Sequence, residues 1–342
     1  MQVQTLTTRW HAAYQILLQQ HKHATVYYSH RYQKLLKNLL GCDARYVIAT
    51  EGDNVLGVLP LMFRQRGSHR VVNSLPFYGS HGGVLAANKQ ARLALVSAYH
   101  QVASEADVAS ATVIENPFDA ASSSDYLATH TDERIAQFTP LPQSDSPYQD
   151  LLRQCESSAR RNVRKAKSHG ITVETGAKYL APLSELHRQR MAAIGGRAKS
   201  KAFFELVPRV LREGEDYEVY AALLDGLVVG ALLLLCFNGT VEYFVPAVSA
   251  AHDHFQPLAA ILITAMVNAA ERGFHTWNWG GTWTSQTGVY RFKRKWGALE
   301  KSYRYFTQVN DVTLLQQTPQ QLLDEYPDFY VVPFSALRRE AA

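Results

Sequence analysis

The chain repeats its own order of elements at about half its length, and such an internal repeat constrains a fold more than any local motif. Residues 44–63, ARYVIATEGDNVLGVLPLMF, alternate apolar and polar positions up to Glu51-Gly52-Asp53-Asn54 and then run apolar through Gly57 to Phe63. Residues 217–237, YEVYAALLDGLVVGALLLLCF, do the same around Asp225-Gly226. Both read as β-hairpins, and Asp-Gly is the pair a type I′ turn favours, because its central residues need positive φ. Gly57 and Gly230 fall at matching places, in V-L-G-V-L and V-V-G-A-L. Each hairpin is followed by a further strand (70–78 and 241–248), a helix with one apolar face (90–106 and 258–272) and another strand (111–116 and 275–279). Each half opens with helical segments, 6–20 and 27–40 in the first, 148–169 and 180–211 in the second.

Two copies of this order predict an α/β chain of two domains, each a mixed, mostly antiparallel sheet flanked by helices. The segment 139–147, TPLPQSDSP, interrupts any regular pattern with three prolines, so the boundary is placed there, giving domains 1–145 and 146–311. At 342 residues, 46% hydrophobic and 19% charged, the chain is long and apolar enough to bury two cores, which excludes global disorder. A net charge of +5 favours anionic small molecules and is too weak for a dedicated DNA binder. Cys42, Cys155 and Cys236 are odd in number and lack metal-ligand spacing, which fits a reducing compartment without a disulfide framework or structural zinc. The longest apolar run, Leu227 to Phe237, is far short of a membrane span, and the N-terminus lacks a leader pattern, so a soluble cytoplasmic protein is expected.

Two segments carry binding chemistry on their own residues. YGSHGG at 78–83 offers Tyr78, Ser80 and His81 as donors around glycines, fit to cradle a phosphate or sugar, and equally a tight turn needing positive φ. The run Arg160, Arg161, Arg164, Lys165, Lys167 lies on a helix whose apolar positions are Ala159, Val163 and Ala166. Arg160, Arg164 and Lys167 share one row and Arg161 and Lys165 the next, a patch suited to the phosphates of a nucleotide-linked acceptor or of tRNA, or else a solvated face. No aromatic interleaves the run, so it carries no base-stacking signature. His252 and His254 have H-x-H spacing without a third ligand nearby, and no metal is expected. No serine-hydrolase elbow, Walker loop, zinc-protease or dinucleotide fingerprint occurs in a confirming context.

The strings SARRNVRKAKSHGITVE at 158–174 and AERGFHTWNWGGTWTSQTGVYRFKRKWGA at 270–298, with the repeated order of elements, resemble the GNAT acyltransferase superfamily. Within it, the chain is similar to the tandem-GNAT Fem-type aminoacyl and peptidyl transferases and their acetyltransferase-like relatives. The resemblance covers nearly the whole chain. It implies transfer of an activated acyl or aminoacyl group to an amine of a metabolite or cell-envelope precursor, by direct attack without a covalent enzyme intermediate. It also implies that the segment from about 312 to 342 returns to pack on the first domain. The strand carrying Glu242 would then border the acyl site, with Glu242 as candidate base flanked by Tyr243 and Phe244. The W-G-G step at 279–281 would be where sister strands splay to admit the acyl group. The aromatic-lysine pair Phe292-Lys293 matches the family motif, and Lys293 is the candidate catalytic cation, with Phe292 and Tyr243 as binding residues. The turn before the second main helix reads AAHDHFQPL without the glycines that would let a diphosphate approach backbone, which weighs against coenzyme A. No tightly bound cofactor is expected, and aminoacyl-tRNA, acyl-CoA and an acyl carrier stay open as donors. Two alternatives remain: tRNA-dependent aminoacyl transfer, and a non-catalytic module that holds a nucleotide sugar.

Overall fold

A computed structural model describes residues 1–76, 81–119, 125–283 and 285–337. The chain divides into two compact units, residues 1–135 with 302–342, and residues 136–301.

In the first unit, β1 (Gln2–Thr5), α1 (His11–Gln20) and α2 (His30–Leu40) precede the hairpin β2 (Asp43–Glu51) and β3 (Asn54–Arg66). Then come β4 (His69–Asn73), the short β5 (Leu85–Ala86), α3 (Lys89–Ala103) and β6 (Val108–Ile114), and the chain moves on through β7 (His130–Pro140). The second unit begins within β7 and continues with α4 (Pro147–Gln154), α5 (Ser157–Ser168), β8 (Thr172–Thr175), α6 (Leu180–Ala193) and α7 (Lys201–Val210). Its hairpin is β9 (Tyr217–Leu224) and β10 (Leu227–Phe237), followed by β11 (Thr240–Val248), α8 (Pro257–Glu271), β12 (Thr276–Trp283) and α9 (Thr287–Arg294). β13 (Leu299–Val309) then leads back into the first unit, which closes with α10 (Pro319–Glu325).

The strand order of the first unit is β1-β2-β3-β4-β6-β13, and that of the second, read from its outer edge, is β8-β9-β10-β11-β12-β7. In each, the first three neighbouring pairs are antiparallel, and the next pair, β4 with β6 or β11 with β12, is parallel and joined by a crossover helix. The two halves therefore share one topology, as the repeat in the sequence predicts.

The matched glycines mark the same local device in both. In the first hairpin the register slips by one residue at Leu56, next to Gly57, and in the second at Val229, next to Gly230. A single extra residue on one strand increases the local twist and bends the hairpin around the helix laid on it. Gly57 lies under α3, where an added Cβ would meet Leu95 Cδ1 at 2.9 Å and Leu85 O at 3.0 Å. Gly230 lies under the start of α8, with Pro257 Cβ at 3.5 Å from such an atom.

The helices form where apolar spacing and caps agree. The Asn88 side chain accepts the Ala91 N–H at 2.8 Å and starts α3, which buries Ala91, Leu95, Val96, Tyr99 and Val102 on the β2–β3–β6 face. α8 opens on Pro257 and buries Ala259, Ile261, Leu262, Ala265, Met266 and Ala269 against Leu232, Leu234, Trp277 and Trp279. Each such large side chain removed from water contributes about 1.5–3 kcal/mol, so these two helices carry the main cores.

Four sequence expectations change in detail. The helical stretch 148–169 is two helices broken at Cys155-Glu156, and 180–211 is two helices separated by residues 194–200, where Gly195 adopts a φ of +67°. The strand expected over 70–78 ends at Asn73. The segment around 139–147 begins inside β7, an alternating strand (His130–Pro140) that the prolines on its C-terminal side conceal.

Candidate active site

The site is built where the parallel ladder of the second unit stops. β11 and β12 pair as Thr240–Thr276, Val241–Trp277 and Glu242–Asn278, and both strands then run on, to Val248 and Trp283, without further pairing to each other. β11 carries its own irregularity at this point. Against β10, Tyr243 faces Leu234 and Val245 faces Leu233, so Phe244 is the extra residue of a bulge. A bulge directly after the last paired residue turns β11 away from β12 and opens a fork.

Alternation sorts the residues at the fork onto two faces. Val241, Tyr243, Trp277 and Trp279 lie on the α8 side, with ring centroids of Tyr243 and Trp279 5.0 Å apart and Phe292 edge-on to Trp279 at 6.1 Å. Glu242 and its cross-strand partner Asn278 face the opposite side, as does the bulged Phe244, whose ring is 5.9 Å from Phe203 of α7.

Glu242 is 2% exposed. Its Oε2 accepts from Asn278 Nδ2 at 2.7 Å, and Asn278 Oδ1 accepts the Gly280 N–H at 2.9 Å. A carboxylate is thus held at the base of the fork by a side chain that also fixes the first glycine of the W-G-G step. Gly280 itself sits at φ +72°, a conformation that admits glycine readily.

Lys293 occupies the end of β12. It is 4% exposed, and its Nζ donates to Gly280 O at 3.3 Å, Gly281 O at 3.2 Å and Thr282 Oγ1 at 2.7 Å. Those three acceptors match the three hydrogens of an ammonium. Thr282 Oγ1 donates in turn to Gln137 Oε1 at 3.1 Å, and Gln137 Nε2 to Tyr290 O at 3.2 Å, so α9 is tied to both β12 and β7. Burial lowers the Lys293 pKa to about 7, because the charged form has lost water. Lys293 is therefore an interior group whose charge is close to balance near neutrality, and not a surface cation of α9. On the other face burial pushes the Tyr243 phenol well up, so it stays a neutral donor.

The basic helix divides its cations. Arg160 turns back to α4, its Nη1 donating to Cys155 O and, at 3.3 Å, to Leu152 O, where it satisfies the carbonyls ending that helix. Arg161, Arg164, Lys165 and Lys167 are exposed along the outer face of α5. The whole net charge resides in this unit, which has 20 Lys and Arg against 15 Asp and Glu, while the first unit has 15 of each.

In the first unit the corresponding end of the parallel ladder is closed by the chain itself. Beyond Asn73–Thr112, the Ser74 N–H donates to Thr112 O at 2.9 Å, the Ile114 N–H donates to Ser74 Oγ at 2.8 Å, and the Gly82 N–H donates to Ile114 O at 3.2 Å. Gly82 and Gly83 permit that approach, since an added Cβ would lie 2.8 Å from Ser74 Oγ at the first and 2.9 Å from Ile114 O at the second. His81 is buried in a ring cluster with Tyr27, Phe118 and Tyr303, at centroid distances of 6.3, 5.7 and 5.2 Å. Tyr78 and Ser80 lie outside the described residues. The C-terminal segment is held in the same unit, with Asn73 exchanging bonds of 2.7 and 2.8 Å with the backbone of Tyr330 and Ser110 Oγ donating to Val331 O at 2.7 Å.

The turn before α8, residues 250–255, is a 3-10 helix, and Gln256 takes a φ of +65° before Pro257. Proline has no N–H to offer an anion at the first helical position. His254 and His169 pack on Phe255 at centroid distances of 3.8 and 4.8 Å, and Ser249 Oγ bonds His252 Nδ1 at 2.9 Å. Among the described residues no group of three or more His, Cys, Asp or Glu is placed to hold a metal, and no helix is long and apolar enough to cross a membrane.

Sequence reasoning missed Asn278, Gln137 and Thr282. The first had a signal: in W-N-W a polar residue between two core tryptophans must project to the opposite face of the strand. Gln137 and Thr282 gave none, because only the pairing of β7 with β12 brings them together.

Residues 153–294, which include the forked pair β11–β12 and the crossover helix α8, match the family model described as an acetyltransferase (GNAT) domain. That match lies within the second unit and covers most of it. The fold of the chain as a whole is that of the tandem Fem-like proteins. The crystal structure of FemX, 17% identical, aligns over 92% of this chain and 98% of its own with a TM-score of 0.68. The C-terminal domain (DUF2156) of a putative lysylphosphatidylglycerol synthetase from Agrobacterium fabrum, 13% identical, aligns over 95% and 99% with a TM-score of 0.56. A tandem GNAT protein from the clavulanic acid biosynthesis pathway, also 13% identical, aligns over 90% and 97% at 0.54. At these identities the likeness is one of fold. No curated protein matches the chain.

Proposed function

We propose that the second unit joins an activated acyl or aminoacyl group to the amine of a small acceptor by direct attack at the β11–β12 fork. The observation that carries this reading is the end of the ladder at Glu242–Asn278, with a buried carboxylate at the point of divergence. The acyl carbonyl enters between the strands, where β11 backbone beyond Glu242 has no ladder partner on β12 and can donate to the developing oxyanion. The acceptor approaches on the α6–α7 face and the donor on the α8 face, in line through the fork. As the amine nitrogen forms its bond to the carbonyl carbon, Glu242 takes a proton from it. The tetrahedral intermediate then collapses, its bond to the donor's sulfur or oxygen breaks, and the departing thiolate or alkoxide takes up a proton while Glu242 releases to solvent the one it took from the amine. No side chain is acylated.

Asn278 orients Glu242, and Lys293 sets the Gly280-Gly281 backbone that forms the far wall. Lys293 thus serves as a positioning residue, with Tyr243 and Phe292 lining the donor side. The donor stays open among acyl-CoA, aminoacyl-tRNA and an acyl carrier. The exposed cations of α5, Arg164 among them, favour a donor or acceptor rich in phosphate, and the proline-started α8 disfavours a diphosphate docked on its N-terminus. Products of incubation with acetyl-CoA or aminoacyl-tRNA and an amine panel, identified by mass spectrometry, test the reading. Glu242→Gln is expected to lower kcat by about 10²–10⁴ with KM little changed, the range for loss of a general base. Turnover by Glu242→Gln at the wild-type rate would overturn the assignment.

A further inference from the structure

Outside the fork, the second unit holds a cavity of about 370 Å³ that the chemistry above does not use. It is bounded by the β8–β9 edge of the sheet, the turn at 213–214 and the C-terminal turn of α8. Glu218 of β9 pairs with Leu234 of β10, and Leu234 with Tyr243 of β11, so β10 and the buried Leu234 separate this cavity from the fork.

The charge of the cavity is opposite to that of its surroundings. Three carboxylates, Glu213, Glu218 and Glu271, and one guanidinium, Arg272, line it, in a unit where Lys and Arg outnumber Asp and Glu by 20 to 15. The guanidinium is taken up by the fold: Arg272 Nη1 donates to Glu218 Oε1 and Nη2 to Gly214 O at 2.6 Å, which fastens the end of α8 to β9 and the turn before it. Glu218 Oε2 accepts from Tyr220 Oη at 2.9 Å, and that hydroxyl accepts from Asn268 Nδ2 at 3.3 Å. Two carboxylates are left without a cation. Glu213 is joined to backbone through one oxygen, Oε1, which accepts the Ala177 N–H at 2.7 Å. The Glu271 side chain is exposed and has no hydrogen-bond or ionic partner among the described residues. The carbonyls that end α8 add partial negative charge at the same place.

A recess lined by one sign of charge concentrates counter-ions, and here the counter-ion is a cation. Size and spread decide its kind. Among the described residues no three of His, Cys, Asp and Glu converge closely enough to hold a metal ion, and the volume falls in the range of organic ligand sites, about 300–1,000 Å³. The free carboxylates come from two elements, the turn before β9 and the last turn of α8, so a ligand that meets both needs donors at two places. Independently of the acyl-transfer reading, we infer that this cavity binds a small organic cation with N–H donors at both ends, an aliphatic diamine or its guanidino counterpart.

Calorimetric titration of the full chain with putrescine and agmatine, and with 1,4-butanediol as the uncharged match of putrescine, tests this without any acyl donor. Both dications are expected to bind about 10- to 100-fold more tightly than butanediol, the range of charge-assisted contacts. Glu213→Gln combined with Glu271→Gln should remove that preference, while glutamine keeps an oxygen for the Ala177 N–H and so holds the turn in place. Glu271→Gln alone, at an exposed position, should weaken both dications about two- to fivefold and leave folding intact. Asp145→Asn, which removes a carboxylate from an exposed position elsewhere in the same unit, should leave their binding unchanged and so separates the cavity from overall charge. The tighter of the two dications identifies the preferred head group, ammonium or guanidinium. Equal affinity for butanediol and the dications overturns the inference. So does dication binding that survives the double substitution, or that falls as far in Asp145→Asn as in Glu271→Gln.

Discussion

Asn278 Nδ2 lies 2.7 Å from Glu242 Oε2 while its own Oδ1 accepts from the Gly280 N–H, so one amide couples the buried carboxylate of β11 to the glycine step of β12 across the fork. Asn278→Asp keeps the shape and replaces the donor by a second carboxylate. Two like charges in that space raise the pKa of one of them strongly. Activity is expected to fall at least about tenfold at neutral pH, with the apparent pKa of the acidic limb of kcat moved upward relative to wild type. A pH–rate profile of the variant that superposes on the wild type would disconnect Asn278 from the chemistry.

Lys293 gives stability a pH dependence of known sign. Its folded pKa is about 7 against an ordinary value of 10.5, so between those limits the unfolded chain binds a proton that the folded chain has released. Stability from this group therefore rises with pH across that interval, and the penalty of the buried ammonium is fully present below pH 7. From pH 7 to 9 the change is about 2–3 kcal/mol, or roughly 5–10 °C in Tm for a unit of this size. Lys293→Met should flatten that segment of the Tm–pH curve. A variant whose curve keeps the wild-type slope would show that Lys293 is not desolvated as described.

Matching glycines are expected to respond differently to the same substitution. Gly57→Ala drives a methyl to 2.9 Å from Leu95 Cδ1 and 3.0 Å from Leu85 O, and should cost about 1–3 kcal/mol. At Gly230 the nearest contact is 3.4 Å, to Val248 Cγ2, an ordinary packing distance, so Gly230→Ala should change stability by less than about 1 kcal/mol. Thermal or urea unfolding of the two variants decides this, and equal losses would contradict the packing of α3 on Gly57.

Two arginines one helical turn apart on α5 are expected to separate. Arg160→Ala removes donors to Leu152 O and Cys155 O and should lower stability by about 1–2 kcal/mol. Arg164→Ala, at an exposed position, should leave Tm within about 1 °C while reducing binding of a phosphate-rich probe such as tRNA and flattening its salt dependence. Salt titrations that coincide for Arg164→Ala and wild type would return α5 to a solvated face.

The order of elements, the two hairpins with their glycines and the apolar faces of α3 and α8 were legible because each depends on a short period of residues and on local backbone chemistry. The W-G-G step and the Phe292-Lys293 pair were legible as motifs. Their physical state was not: Lys293 sits in a run of cations that reads as a surface helix, and only the meeting of α9 with the end of β12 buries it on three oxygens. Arg160 and Arg164 are equivalent in the helical pattern and distinct once α4 ends against one of them. YGSHGG reads as a phosphate cradle, yet Gly82 and Gly83 serve to close the ladder of β4 and β6.

What the sequence determined by itself was thus the repeated topology, since hydrophobic period and turn chemistry act over a few residues. Tertiary structure alone decided which of the two ladders stays open, which carboxylate lies at its fork, and which lysine is buried at the end of β12. Those outcomes depend on contacts between segments far apart in the chain: a bulge of β11 against β10, Ser74 and Gly82 against β6, and α9 against the glycines of β12.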